Sequence, residues 1–429
     1  MTSPVSSEPV GQPHFHYANG QLHAEQVALE PLARQLDTPL YVYSRAALQA
    51  AWTRYQDAIA GRDVLVCYGM KANSNLAVLA EFARLGSGFD IVSGGELARV
   101  LAAGGDPARI VFSGVGKKVW EIEAALTAGI KCFNAESDAE LERLSAVATR
   151  TGQTARVSLR VNPDVDAQTH PYISTGLRDN KFGIAIERAR EVYRHAVSLP
   201  GLEVVGLDCH IGSQIESVAP YLDALDKLLD LIDALETDGV QLHHLDLGGG
   251  LGIRYEDETA LPPQALLDGV FERLQQRGRS HLQLVLEPGR SLVGNAGVLL
   301  TEVQYLKPTE ARNFAIIDAA MNDLIRPALY QAWHGVLPVT PRQDEPAQTW
   351  DLVGPVCESG DWLARQRVLA IRQGDLLAIE SAGAYAMAMA CNYNSRNRPA
   401  EVMVDGADFH IIRRRETLED QLRGESILP

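Results

Sequence analysis

Cysteine is scarce: five residues, at 67, 132, 209, 357 and 391, are scattered over 429 positions without a Cys-x-x-Cys pair. An odd, dispersed set argues against a disulfide framework or a structural zinc site, and it fits a reducing cytosol. Positive charge is also short, with 39 Lys and Arg against 55 Asp and Glu and a net charge of -16. Nucleic acids and anionic membranes attract a basic surface, so neither is expected as a partner. An anionic ligand must therefore be captured by local arginines or backbone amides. No apolar run is long enough to span a membrane, and the opening MTSPVSSEPVGQPHFHYANG has no apolar signal core. That stretch reads as a loose leader on a cytoplasmic protein. No metal site is expected, and no coiled-coil heptad or short internal repeat stands out.

What is present is a large apolar fraction, 46% of 429 residues, enough for two domains. From about 63 to 290, short β-branched runs alternate with longer amphipathic ones. The runs DVLVCYG, GFDIVS, RIVFSG, KCFNAE, ARVSLRVN, EVVGLDCH, LHHLDLGG and LQLVLEPG read as strands. Stretches such as SGGELARVLAAG, SDAELERLSAVATRTG and PYLDALDKLLDLIDALE read as the helices between them, several with a Ser or Pro start and a Gly end. Eight such strands with intervening helices favour a closed (β/α)8 barrel of the TIM type over an open doubly wound sheet. After 290 the runs LVGNAGVLLTEVQYLK, FAIIDAA, TWDLVGP and GDLLAIE read as strands joined by turns, a C-terminal β-barrel or β-sandwich domain. The expected division is an N-terminal segment, 1–40, packing with that β domain, a barrel over 41–300, and the β domain over 301–429. The N-terminal strand is expected to pair into the β domain.

Barrels of this kind work at the C-terminal ends of their strands. Those ends carry Lys71, Asp90, His210, the run Gly248 to Gly250, and Glu287 with Arg290. Taken singly, each has a structural explanation: a buried histidine, a turn, a helix cap. Their coincidence on one face points to a site. GGGLGIRY lacks the GxGxxG spacing, because Ile253 stands where the third glycine would be. A glycine turn after strand seven with EPGR after strand eight matches instead the place where barrels bind phosphate through backbone amides. An amine in the same mouth makes pyridoxal 5'-phosphate the cofactor that accounts for all three features. Lys71 would meet its aldehyde, Glu287 its ring nitrogen, His210 the flat of its ring and Ser213 its phosphate. In the β domain, GPVCESGD sets a thiol, Cys357, beside a carboxylate, Glu358, a pair able to donate a proton and hold an ammonium. A buried structural cysteine beside a surface glutamate explains the pair equally well. GAYAMAMACNYNSR, 383–396, is either part of a site or a tight β corner.

YGMKAN, FDIVSGGEL, STGLRDNKFGI, HIGSQ, LDLGGGLGI, EPGRSLVGNAG, RPALYQAWH, GPVCESGD, GAYAMAMACNYNSR and RPAEVMVDG together resemble, in order, the signatures of the alanine-racemase-like, fold type III pyridoxal-phosphate decarboxylases. The resemblance runs from about residue 40 almost to the end, and it implies a barrel plus a β domain containing both chain ends. It implies that Lys71 is the Schiff-base lysine, that His210 stacks on the ring, and that Asp90, Ser213, Gly249, Gly250, Glu287, Pro288, Gly289, Arg290 and Tyr385 belong to the cofactor site. Arg290, Arg326 and Tyr330 would grip a distal carboxylate of the substrate, with Tyr385 also touching it, and Glu358 would hold the distal ammonium. Cys357 would reprotonate the substrate carbon, reaching in with Glu358 from the second subunit of a homodimer. The implied reaction converts meso-diaminopimelate to L-lysine and carbon dioxide. Rival readings are a decarboxylase of ornithine, arginine or a D-amino acid, and a non-catalytic cofactor-binding homologue. An alanine racemase is a third. Two arginines suit a second carboxylate better than a terminal amine, and Glu287 opposite the ring nitrogen favours decarboxylation over racemisation. The polar stretch DAQTHPYISTGLRDNKFG, 166–183, is expected to act as a lid.

Overall fold

The computed structural model describes residues 8–166 and 181–429. The chain forms two compact units, one from residues 51–253 and 259–291, the other from residues up to 50, 254–258 and 292–429. Almost all of the stretch read as a lid, 167–180, lies outside the described residues.

The first unit is a closed parallel barrel. Its strands are β1 (Val64–Gly69), β2 (Gly88–Ile91), β3 (Ile110–Phe112), β4 (Cys132–Ala135), β5 (Ala155–Asn162), β6 (Leu202–Asp208), β7 (His244–Asp246) and β8 (Gln283–Leu286). The ring closes where β8 pairs in parallel with β1, Leu284 opposite Val64 and Leu286 opposite Val66. Leu65, Cys67, Val111, Cys132, Val205 and Val285 form a buried apolar cluster among these strands. The intervening helices start as their sequences require. Asn75, Ser93 and Ser137 each accept a backbone N–H of the first turn of the helix they precede, satisfying a donor the helix leaves open. Gly129 and Gly152 end two of them in the left-handed conformation.

The second unit is built on a nine-stranded sheet among the described residues. At its centre Leu40–Ser44 lies antiparallel to Gly297–Pro308 and parallel to Ala400–Asp405, so the N-terminal strand is an integral part of the β domain. For residues 8–20 the reading of the opening stretch as a loose leader is corrected here. Phe15–Ala18 and Gln21–Ala24 form a hairpin whose turn residues, Asn19 and Gly20, have φ of 51° and 77°. An Asn-Gly pair with both φ positive matches the right-handed strand twist and closes a two-residue hairpin. Phe15 and Leu22 enter the same core as Leu40, Val42, Val298, Leu337 and Val402. Tyr17 Oη donates to Pro338 O at 2.6 Å, and the Leu22 amide donates to Val339 O at 2.8 Å.

Leu40 has no exposed surface and belongs to that core. Leu40→Ala is expected to cost about 2–5 kcal/mol through lost burial and the cavity left behind. A urea midpoint measured on the β-sheet signal checks this, and an unchanged midpoint would remove the N-terminal strand from the stabilising core.

Candidate active site

The barrel interior can be read off the strand registers. Gly206 of β6 sits opposite His244 of β7, and a Cβ at position 206 would lie only 2.1 Å from His244 Nε2. His244 Nε2 also lies 3.9 Å from Cys132 Sγ of β4, which is not a neighbour of β7 in the ring, so both positions face the interior. Two residues on, the same face recurs, so Asp208 and Asp246, also register partners, project inward together. Asp246 pairs in register with Val285 on β8, and Glu287 lies two residues beyond Val285. Carboxyl oxygens of Asp208, Asp246 and Glu287 all lie within 4.8 Å of one another.

Lys71 sits in a single 3-10 turn, Met70–Ala72, directly after β1. Its Nζ donates to Asp90 Oδ2 at 2.6 Å, with the lysine side chain 39% exposed and the aspartate fully buried. Asp90 thus holds the amine at the mouth, where the lysine side chain stays part exposed. A second lysine shows the contrast. Lys117 Nζ is fully buried and donates to Gly114 O, Asn134 O and Glu140 Oε1 at 2.6–2.8 Å. All three of its hydrogens are used, which suits a structural role.

His210 follows β6 and accepts the Gly249 amide at Nδ1, 3.1 Å away. Burial, then the positive charges of Arg160 and Lys71, hold its pKa well below the usual imidazole value. The ring is neutral, and Nδ1 accepts, so Nε2 carries the hydrogen. The glycine turn after β7 is tightly built. Gly248 and Gly250 have φ of 66° and 105°, and a Cβ on Gly249 would lie 2.2 Å from Glu287 O. Only glycine permits this approach of the turn to the end of β8. Tyr221 Oη donates to Gly249 O at 3.0 Å, and the Gly69 amide donates to Pro288 O at 2.9 Å. Arg290, buried, donates from Nη2 to Ser213 Oγ at 3.0 Å. A guanidinium, a hydroxyl and a glycine turn flanking one strand end suit a phosphate.

The electrostatics of the mouth are unbalanced. Glu287 Oε1 accepts Asn134 Nδ2 at 3.3 Å, and its pKa is pushed well up by burial and then by Asp246, Asp90 and Asp208. Asp246 is pushed up to about 7, chiefly by burial, and Asp208 is raised well above its ordinary value by burial and by Asp246. Carboxyls this close repel one another unless a cation or a proton lies among them. A protonated pyridine nitrogen would supply that cation, and Lys71, held by Asp90, offers an amine at the same mouth. The residues present fit pyridoxal 5'-phosphate on charge, hydrogen-bond type and glycine placement.

The sequence candidates Lys71, Asp90, His210, Ser213, Gly249, Gly250 and Glu287 to Arg290 are brought together at this mouth. Arg326, Tyr330, Cys357, Glu358 and Tyr385 belong to the other unit. Arg326 and Tyr330 share the short helix Arg326–Tyr330. Arg326 is buried with its guanidinium 4.4 Å from the centre of the Tyr255 ring, and Nη1 donates to His334 Nε2 at 2.8 Å. His334 Nδ1 in turn donates to Glu380 O at 2.8 Å, which fixes the tautomer and leaves Nε2 as the acceptor. Cys357 and Glu358 lie in an exposed loop, tied by the Cys357 amide donating to Asn394 Oδ1 at 2.8 Å and by Tyr393 Oη, 3.5 Å from Glu358 Oε2. Cys357 is an exposed free thiol, unlike the buried Cys67, Cys132 and Cys209. Tyr385 adopts a positive φ of 54°. Sequence reasoning did not single out Arg160, Asp208, Asp246, Asn134, Tyr255 or His334. The alternation in EVVGLDCH and LHHLDLGG, which puts Asp208 and Asp246 at matching strand ends, was the available signal.

An amine beside a buried carboxyl cluster and a phosphate-type turn at the mouth of a barrel defines a pyridoxal-dependent enzyme. The pyridoxal binding domain of the pyridoxal-dependent decarboxylases matches residues 45–294. The chain is 60% identical to diaminopimelate decarboxylase of Pseudomonas aeruginosa and 58% identical to that of Vibrio cholerae, in each case over 97% of this chain and 99% of the relative. The crystal structure of diaminopimelate decarboxylase from Helicobacter pylori complexed with L-lysine is 42% identical, with a TM-score of 0.88 over 92% of this chain and 98% of that one. The chain belongs to the diaminopimelate decarboxylase family.

Glu380, whose backbone holds His334, has a carboxyl raised to about 7 by burial, and that carboxyl accepts the Val10 amide at 2.7 Å. Folded protein keeps this proton up to about pH 7, whereas the unfolded chain releases it above its ordinary glutamate value, so stability falls as pH rises through that window. Glu380→Gln is expected to flatten the fall by on the order of 3 kcal/mol. Urea unfolding of both proteins at about pH 5 and about pH 7.5 checks this, and identical slopes would contradict it.

Proposed function

We propose that this protein converts meso-diaminopimelate to L-lysine and carbon dioxide with pyridoxal 5'-phosphate as cofactor. The observation that carries the reading is the meeting of Lys71, Glu287 and the Gly248–Gly250 turn at one barrel mouth. It occurs in a chain 58–60% identical, over nearly its whole length, to proteins named for this reaction. Bound there, the cofactor supplies an aldehyde for amines and an electron sink for the pair left when carbon dioxide departs.

The chain's own residues do the rest. Lys71 holds the cofactor through its amine, and Asp90 receives the ammonium whenever that amine is free. Glu287 would face the ring nitrogen, where positive charge would favour its ionised form. Neutral His210 would lie against the face of the ring without adding charge that would weaken the electron sink. Ser213, Gly249, Gly250, Pro288, Gly289, Arg290 and Tyr385 hold the phosphate and ring edge. Arg290, Arg326 and Tyr330 grip the distal carboxylate of the substrate, and Tyr385 also contacts it. His334 and Tyr255 orient Arg326. Two guanidinium groups favour a substrate that ends in a carboxylate over ornithine or arginine. Glu358 holds the distal ammonium, and the Cys357 thiol delivers a proton to the carbon that has lost carbon dioxide. The exposure of Cys357 and Glu358 supports a homodimer in which the pair serves the partner's site. The scattered free thiols favour the cytoplasm.

Carbon dioxide release is expected from meso-diaminopimelate and to be far slower from ornithine, arginine or lysine. Cys357→Ala should retain the cofactor and lose on the order of 10² to 10⁴ in kcat. Mixing it with Lys71→Ala should restore turnover if the thiol acts across the dimer. Faster release from any of the other three amino acids would overturn the substrate, and an unchanged rate in Cys357→Ala would overturn the proton donor.

A further inference from the structure

Asp246 is buried and has no place in the reaction as set out above. Its Oδ1 accepts the Gly248 amide at 2.8 Å, which anchors the glycine turn. Its Oδ2 is a buried oxygen that meets no donor if all the surrounding carboxyls are ionised. A carboxyl oxygen of Asp246 lies within 4.8 Å of one of Glu287, and Glu287 acts on Asp246 as a hydrogen-bond donor, lowering its pKa against the effect of burial. Two ionised carboxylates offer no hydrogen to each other, so the bond forms only when one of them carries a proton.

The charges facing the pair decide whether a proton is held. Lys71 after β1 is engaged by Asp90 of β2. Arg160 of β5 lies 3.5 Å from Glu136, which follows β4. Asp208 of β6 adds a third acid within 4.8 Å, and Asn134 of β4 gives Glu287 one neutral donor. The thiols of Cys67, Cys132 and Cys209 are buried nearby with their pKa values raised by burial, so they stay neutral. Both cations therefore have carboxylate partners of their own, and Asp208, Asp246 and Glu287 are left to share what neutralisation remains.

We propose that Asp246 is a positioning residue for the cofactor ring, sharing a proton with Glu287 and so setting the charge that Glu287 presents to the ring nitrogen. The inference rests on the reading of Glu287 as the partner of that nitrogen. Without the cofactor the shared proton rests on Glu287, which donates to Asp246; opposite a cationic ring it would pass to Asp246, whose hydroxyl would donate to Glu287 and leave the second Glu287 oxygen to accept the ring N–H. When Asp246 ionises, the pair gains a negative charge, and the ring nitrogen holds its hydrogen more tightly.

Two measurements test this. Infrared difference spectra of the cofactor-free protein should show protonated-carboxyl absorption at about pH 6, of which one component, from Asp246, fades near pH 7 while that of Glu287 persists to higher pH, and Asp246→Asn should remove the fading component. Should Asp246→Asn not fold, Glu287→Gln serves instead: its amide supplies the hydrogen, so the Asp246 band should fade at lower pH than in the parent. In the cofactor-loaded protein, the nuclear magnetic resonance signal of ¹⁵N in the ring of pyridoxal 5'-phosphate should move through a step with pH that is missing in Asp246→Asn. The same step in Asp246→Asn, or no carboxyl band in the parent with or without a chelator, would overturn the proposal. A parent protein that takes up no pyridoxal 5'-phosphate refutes the cofactor reading, and the infrared arm then judges the shared proton alone.

Discussion

Closure of the strand ring between β8 and β1 is the constraint on which the site depends. Leu284 to Leu286 pair with Val64 to Val66, and the seam continues past both strand ends, where the Gly69 amide meets Pro288 O. Lys71 and the Glu287 to Arg290 segment are more than two hundred residues apart in sequence. This seam sets them side by side. An open sheet would leave the amine at one edge and the acid at another. The glycine turn after β7 completes the arrangement, since Gly249 has to come within a side chain's thickness of Glu287 O.

The second theme is charge. A protein of net charge -16 places further acids at the heart of its barrel, and burial raises their affinity for protons. That is costly for an empty protein and useful for one that binds a cationic ring, because the negative potential stabilises the very charge that makes the ring an electron sink. Neutral His210, with its pKa lowered by burial and by the neighbouring cations, adds no positive charge at this mouth.

Much of this was legible in sequence because the barrel repeats one pattern. Each of the eight apolar runs between about 63 and 290 holds a barrel strand, the Ser-started and Gly-ended segments between them hold helices, and the polar residues at the strand ends meet at one mouth. Less legible were features that need a partner strand to interpret. Asp208 and Asp246 look like ordinary strand-end acids until the register of Gly206 with His244 turns them inward. His334 acquires meaning only through Arg326 and the Glu380 carbonyl. The N-terminal hairpin is poorly legible although Asn19-Gly20 is a strong turn signal, because its flanks are polar and the buried Phe15 and Leu22 are too few to show a period.

The central claim is that the barrel mouth makes Lys71, and no other lysine, the attachment point of the cofactor. Loading the protein with pyridoxal 5'-phosphate, fixing the adduct with borohydride and mapping peptides by mass spectrometry tests it most directly. The account predicts a single label on the peptide carrying YGMKAN, at Lys71. A label on the buried Lys117, or on surface lysines without preference for Lys71, would contradict it.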